Sequence, residues 1–596
     1  MEPVLNACHR QRSRDDARCC PDQEDTMLDL VIRGGRVIDG TGAASRRADV
    51  GVDDGRVVAV GDVDDAGRQE VDADGLFVTP GFIDVHTHYD AQICWDGTLS
   101  PSPLHGVTSV VSGNCGFTLA PIADEDRDYM LNMLSRVEGM PIEALEAGVT
   151  CDWTTTAELL DRFEGQVMPN VGFLVGHSAL RKAVMHDEAT ERAATPAEIE
   201  AMRGLLEAGL AAGGMGFSST WSPTHNDHRG IPVPSRAATR DELLSLCEVV
   251  GRHEGTALEF IPAVGEFGDD IKDLMASMSR VADRVLNWNM LMIFPGNEHV
   301  VANQLSASDY AEEHGGRVLA LTLPEPGKLR LSFLSGMAFD AIPGWANLFR
   351  LSPEERLGVL ADRRQRAELD RVAQAAPTNS LEYVRWGRYR LETFSPEARR
   401  FNGSTVEEAA ATLGLGTWDA LCEILLMDHL RSGLFMPARG DDPDTWERRR
   451  SAWRDPRTLI GASDAGAHLD MIDTFSYATR LLEVGVREQP LLPVEEAVRM
   501  LTSDAADLYG LRGRGRIMEG YAADLVVLDM DRISAGRPET RQDLPGGCER
   551  LYSEPDGVER VFVNGVQVVE NNKLGSERPG KILRSGRDTT TVHARS

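Results

Sequence analysis

Apolar and polar positions change period twice along the chain. Between residues 28 and 76, short β-branched and apolar runs at 28–32, 36–38, 48–52 and 56–60 alternate with turn signals, namely Gly34-Gly35, Asp39-Gly40, Asp53-Asp54-Gly55 and Gly61. Asp-Gly between such runs signals a hairpin. The same texture returns at 523–529 and 558–569, with Asn564-Gly565 as a turn. Two β-rich ends around a long middle predict one small β-sandwich built from both termini. In the middle, apolar runs alternate with helical periodicity. Eight candidate strands lie at 81–86, 106–112, 170–176, 214–219, 256–261, 284–290, 317–322 and 458–463. Helical patterns at 196–212 and 239–253 lie between them, the first with Thr195 as N-cap and Pro196 in its first turn. Alternating units of this number predict an α/β fold, a (β/α)8 barrel.

The stretch 323–456 interrupts the alternation. Ser352-Pro353-Glu354-Glu355 opens a helix predicted over 351–375, and further helices are expected at 406–413 and 421–430. A connection this long is an inserted, mostly helical subdomain rather than a loop, either a lid or an oligomer contact. The expected organisation begins with a disordered N-terminal tail (1–27). The β-sandwich takes residues 28–76 and 513–575, and the barrel takes 77–322 and 457–512, with the insertion (323–456) between the two barrel segments. A frayed polar tail (576–596) ends the chain. Translation starting at Met27 is the alternative reading of residues 1–26.

Bulk properties exclude several function classes. At 596 residues, with 42% hydrophobic and 26% charged residues, the chain reads as an ordinary globular protein. Its net charge of −32 argues against a nucleic-acid partner and against an anionic membrane surface. Nine cysteines are scattered without a CxxC pair, so a reducing, cytoplasmic setting is expected. Cys8, Cys19 and Cys20 fall in the N-terminal tail and are given no role. No apolar run reaches membrane-spanning length, and residues 1–26 lack the apolar core of a secretory signal.

The chemistry concentrates at strand ends, where barrel active sites lie. The first candidate strand ends in His86-Thr87-His88. Side chains at i and i+2 of a strand share a face, which suits two imidazoles on one metal ion with bonds of about 2.0 Å. The second ends in Ser112-Gly113-Asn114-Cys115-Gly116. A free cysteine there is a thiolate ligand or a small buried hydrophobe. The eighth ends in Ser463-Asp464-Ala465-Gly466, where a carboxylate is a proton carrier or a turn former. His177 and Arg181, after the third strand, either bind a substrate carboxylate or make structural hydrogen bonds. His225 and His228 in a loop after the fourth, Glu259 on the fifth and His468 beyond the eighth are further candidate substrate or metal contacts.

Pro80-Gly81 ahead of the His-x-His pair, Gly106-Val107-Thr108 leading to Asn114-Cys115-Gly116, and Ser463-Asp464-Ala465, in that order, resemble the metal-dependent amidohydrolase superfamily, most closely its N-acyl-D-amino-acid deacylase (D-aminoacylase) branch. The resemblance implies a metal held by His86, His88, Cys115 and Asp464, with Asp464 also moving the proton. It also implies a small-molecule amide substrate and, by analogy, a homo-oligomer. Two departures stand out. The branch carries a histidine at the end of strand five, and a histidine followed by a lysine at the end of strand six. This chain has Glu259 in the former region and Asn287 and Asn289 in the latter. One zinc ion is therefore expected, with two as the alternative. The expected activity is hydrolysis of a non-peptide amide, of the N-acyl-D-amino-acid deacylase kind. The alternatives are a cyclic amidase or deaminase of the same superfamily, or a barrel that has lost hydrolysis and binds a ligand.

Overall fold

The computed structural model describes residues 27–595 except 337–338, 340–341 and 376–380. The expectation for residues 1–26 lies outside the described residues.

All eight strands of the middle are present and parallel to their neighbours: β1 (Phe82–Asp84), β2 (Val107–Ser112), β3 (Asn170–Phe173, continued by Val175–Gly176), β4 (Gly216–Thr220), β5 (Ala257–Ile261), β6 (Leu286–Leu291), β7 (Val318–Thr322) and β8 (Thr458–Ile460). β1, β2 and β3 form one sheet. The continuation of β3 begins a second, which runs through β4, β5, β6 and β7 to β8. Beyond β1 and β8 a parallel bridge joins Thr87 to Ala465, and His88 N donates to Ala465 O at 2.7 Å. Buried parallel strands read as continuous apolar runs because helices cover their outer face. Successive helices Pro196–Ala211, Arg240–Val250, Asp269–Ala282 and Glu298–Glu313 pack side by side. Thr195 starts the first through a capping box with Glu198. Where β1 begins, a side chain on Gly81 would meet Thr108 Oγ1 at 2.1 Å, so only glycine lets β1 approach β2.

Both ends of the chain enter one nine-stranded mixed sheet. Its seam is Leu525–Leu528, antiparallel to Phe77–Pro80. Gly34-Gly35, expected to be a turn, is instead a register irregularity inside one strand, Leu28–Val37, which bends without breaking. Strands Gly67–Asp72 and Phe77–Pro80 were not anticipated, being short and interrupted by polar residues.

The insertion has its own aromatic core. Trp386 lies 4.8 Å from Trp418 and 5.5 Å from Trp345, between ring centres. Beside its helices it holds a three-stranded sheet of Arg330–Ser332, Gly433–Phe435 and Arg390–Glu392. The single helix expected over 351–375 is two, Pro353–Ala361 and Arg363–Gln374. The extended Asp362 ends the first, and its side chain caps the second. Among the described residues no single helix is long and apolar enough to cross a membrane.

The C-terminal stretch corrects a further expectation, because it does not fray. Ile582–Leu583 pairs in parallel with Val171 and Gly172 of β3, with both side chains buried. The segment then passes the amino-terminal sides of the next strands. Thr589 Oγ1 donates to Gly255 O at 2.7 Å, His593 Nδ1 meets Asp283 Oδ2 at 2.6 Å, and Arg595 Nε donates to Gly315 O at 3.2 Å. Its polar composition serves loop backbone groups rather than solvent. Ile582→Ala should lower unfolding stability by about 2–5 kcal/mol, the usual cost of truncating a buried aliphatic side chain. A change within about 0.5 kcal/mol in urea denaturation, as at a free surface position, would mean that the segment is not packed.

Candidate active site

Four donor atoms meet at the carboxyl ends of the strands. Cys115 Sγ lies 3.6 Å from His86 Nε2 and 3.9 Å from His88 Nε2. Asp464 Oδ1 lies 3.3 Å from His86 Nε2 and 3.8 Å from His88 Nε2. Two metal bonds of about 2.0–2.3 Å meeting near a tetrahedral angle hold their donor atoms about 3.5 Å apart. The spacings match that requirement for His86, His88 and Cys115, which fit a shared ion, with Asp464 standing against both histidines.

Local structure puts each donor in place. His86 and His88 flank Thr87, the bridge residue just past β1, and both are buried. Cys115 sits in a turn after β2 whose backbone is left-handed at Gly113 (φ 81°), Cys115 (56°) and Gly116 (78°). Asn114 Nδ2 staples that turn to Thr87 O at 3.1 Å and to Val111 O at 3.0 Å. Past β8, Ala462 (φ 67°) and Asp464 (52°) are also left-handed, a conformation that non-glycine residues hold only where the surroundings over-determine it. Those surroundings are Asp464 N donating to His86 O at 3.1 Å, Ser463 Oγ donating to Asp84 Oδ2, and Asn289 Nδ2 donating to Asp464 Oδ1 at 3.1 Å.

Burial dominates the electrostatics. It pushes the His86 imidazole down to about 3 and that of His88 well below its ordinary range. It raises the Cys115 thiol well above its usual value and lifts the Asp464 carboxyl to about 7, against the Asn289 hydrogen bond. Neutral imidazoles are the form that ligates metals. A cation at the centre of this set reverses the penalty on thiolate and carboxylate. His86 Nδ1 and His88 Nδ1 are buried without hydrogen-bond partners. The Glu138 carboxylate stands 3.7 Å from His88 Nδ1 and is also buried.

The positions of the missing strand-five and strand-six histidines are filled in other ways. Glu259 Oε2 accepts the Cys115 backbone N–H at 2.8 Å, while Oε1 is buried without a partner. Asn287 Nδ2 donates to Leu258 O at 2.9 Å. Asn289 Nδ2 lies 3.2 Å from His86 Nε2 in addition to its Asp464 contact.

The remaining candidates separate. His468 lines a cavity together with Asp464. His225 packs on Phe117 near the cluster, where its charge bears on His86 and His88. His228 is exposed against Tyr129. His177 and Arg181 turn inward to Glu242. His177 Nε2 lies 2.9 Å from Glu242 Oε1, and Arg181 Nη1 is 2.6 Å from both carboxylate oxygens. The other Arg181 donors are taken by the carbonyls of Ala189 and Arg192. This geometry is a buried structural cluster, in place of the substrate contact expected of these two residues. Sequence reading missed Asp84, two residues before His86, and Glu138, which carries no motif and reaches the site only through the fold.

The cavity has a volume of about 400 Å3. Met290, Leu323, Asp464 and His468 line it from the strand side, and Lys328, Arg388, Tyr389, Met436 and Arg439 line it from the insertion.

A sequence model described as "Amidohydrolase family" matches residues 69–569. The D-aminoacylase of Alcaligenes xylosoxydans xylosoxydans is 30% identical over 93% of this chain and 97% of its own length. Among solved structures, the N-acyl-D-glutamate deacylase of Bordetella bronchiseptica, complexed with zinc and a phosphonate inhibitor, superposes with a TM-score of 0.64. It is 27% identical, covering 94% of this chain and 100% of that one. A D-aminoacylase structure concerned with one-metal activation and second-metal attenuation of a binuclear centre gives a TM-score of 0.63 at 26% identity, with the same coverage.

Replacing Arg181 with Met leaves the Glu242 carboxylate buried without its main counter-charge. Unfolding stability should fall by about 3–5 kcal/mol, with KM unchanged in the folded fraction. A raised KM with unaltered stability would put Arg181 at the substrate after all. Burial raises the Glu242 carboxyl, but His177 and Arg181 outweigh it and hold the group below its ordinary 4.5. Its stabilising contribution is therefore complete above that value and is lost as the pH falls through the depressed one. Acid titration of the unfolding midpoint should show this loss in the parent protein and much less of it in Glu242→Gln.

Proposed function

This chain belongs to the amidohydrolase family and is a metal-dependent hydrolase of carbon–nitrogen bonds other than peptide bonds, and we propose that it deacylates N-acyl-D-amino acids, with one zinc ion held by His86, His88, Cys115 and Asp464. The observation that carries the reading is the approach of both Cys115 and Asp464 to the two histidine Nε2 atoms, at 3.3–3.9 Å. The eight parallel strands and the Thr87–Ala465 bridge support closure into a (β/α)8 barrel with this site at its carboxyl end. One ion is favoured because Glu259 is engaged by the Cys115 amide and Asn289 stands between His86 and Asp464.

When bound, the ion supplies Lewis-acid polarisation and makes water nucleophilic near neutral pH. The chain's residues do the rest. Asp464 takes the proton of the attacking water at a carboxylate oxygen and delivers it to the leaving nitrogen, as general base and then general acid. Asn289, Ser463 and the left-handed turn hold that carboxylate toward His86 and the cavity. Glu138 orients His88 from its far side, the outer-sphere role that carboxylates play for metal-ligating histidines. The insertion roofs the cavity and limits water there.

Protein purified without added metal should carry close to one zinc per chain, and much less in Cys115→Ala. Asp464→Asn, reloaded with zinc, should lose about 10²–10⁴-fold in kcat. Turnover of N-acetyl-D-leucine but not its L-enantiomer is the expected specificity. Hydrolysis of cyclic amides alone would move the function to the cyclic-amidase alternative. Absence of metal after reconstitution would remove the hydrolytic reading.

A further inference from the structure

We propose that the cavity beside Asp464 is built for an anionic amide carrying a large apolar group, an N-acyl amino acid with a long acyl chain, and that the insertion supplies the charges that hold its carboxylate. This rests on the deacylase reading above and adds the class of substrate. The volume of about 400 Å3 lies in the range of roughly 300–1,000 Å3 typical of pockets for whole small ligands, more than an acetyl group needs. The walls are Met290, Met292, Phe294, Met436, Met471 and Ile472. Methionine is unbranched and adapts to flexible apolar partners. Met292 is 43% exposed in the absence of any ligand, so apolar surface there is left for an occupant to cover.

Charge selects the other end of the occupant. Lys328, Arg385, Arg388 and Arg439 line the cavity against Glu325 and Asp464, in a chain whose net charge is −32. Lys328 Nζ lies 3.6 Å from Glu325 Oε2, and the Arg439 guanidinium stacks 3.8 Å over the Phe294 ring. The bridge pairing Gly327 with Arg439 brings Lys328 and Arg439 to one side of the cavity. A local positive field inside an acidic protein concentrates small anions. All four cations come from the 323–456 insertion, whereas the metal cluster comes from the strand ends. The charges offered to the carboxylate and the groups that cleave the bond thus come from different regions of the chain, while most of the apolar wall comes from segments that follow the strands.

The test uses the full-length, zinc-loaded protein. Calorimetry measures binding of N-alkylsulfonyl-D-leucines, which resist hydrolysis, with chains of two to twelve carbons. In parallel, kcat/KM is measured for the matching N-acyl-D-leucines. Affinity should tighten by about fourfold per methylene until the cavity is full, and kcat/KM should rise with it. The methyl ester of the eight-carbon ligand should bind at least tenfold more weakly. Met292→Glu, at an exposed position remote from the metal ligands, should flatten the series, and Met436→Glu provides a second test from the insertion side. Equal affinity at all chain lengths, or a series unaltered in both variants, overturns the proposal. Chain-length-dependent binding without hydrolysis of any N-acyl amino acid would sustain the cavity assignment and defeat the deacylase reading. Turnover of the acetyl substrate with no chain-length dependence would do the reverse.

Discussion

Two buried imidazoles, a buried thiol and a half-buried carboxylate are gathered at the strand ends, and the surrounding architecture follows from that. Each prefers its neutral form when buried, so together they make a poor hydrogen-bonding cluster and a good cradle for a cation. Bringing Cys115 and Asp464 each within 4 Å of both histidine Nε2 atoms takes three separate strand ends. The parallel arrangement brings those ends to the same side of the sheets. The left-handed backbone at Cys115 and Asp464 shows where local conformational preference yields to this demand.

The supporting shell explains how such a cluster tolerates the loss of residues that its relatives would lead one to expect. Glu259 and Asn289 occupy the regions where further metal-binding histidines were expected, but each is tied into the remaining cluster, one through the Cys115 amide and the other through His86 and Asp464. The substitution is therefore not a hole in the site. The insertion adds a second packed core around its tryptophans and contributes four cations and Met436 to the cavity lining.

Some of this was legible residue by residue. His-x-His at the end of an apolar run states its own geometry, because i and i+2 on extended chain share a face. The eight strands were legible as apolar runs between helical periods, and Thr195 with Glu198 as a helix start. Where a reading failed, the deciding partner lay far away in sequence. Arg181 and His177 looked available for substrate because Glu242, sixty residues on, was not identifiable as their partner. The C-terminal stretch looked frayed because its polar side chains answer to the carbonyls of Gly255 and Gly315 and to the Asp283 carboxylate. The break at Asp362 was readable in principle, since Asp is a strong N-cap, but the helical period on both sides masked it.

By itself, the sequence determined the alternation of strands and helices, the acidic balance, and the presence and order of the metal-ligand motifs, because these rest on local periodicity and on adjacent residues. Only the tertiary structure decided that Cys115 and Asp464 face the same point as the two histidines. It also decided that Glu138 stands behind one of those histidines, and that the insertion folds back to wall a cavity over Asp464. Those facts depend on contacts between residues tens to hundreds of positions apart, whose register and packing no local pattern encodes.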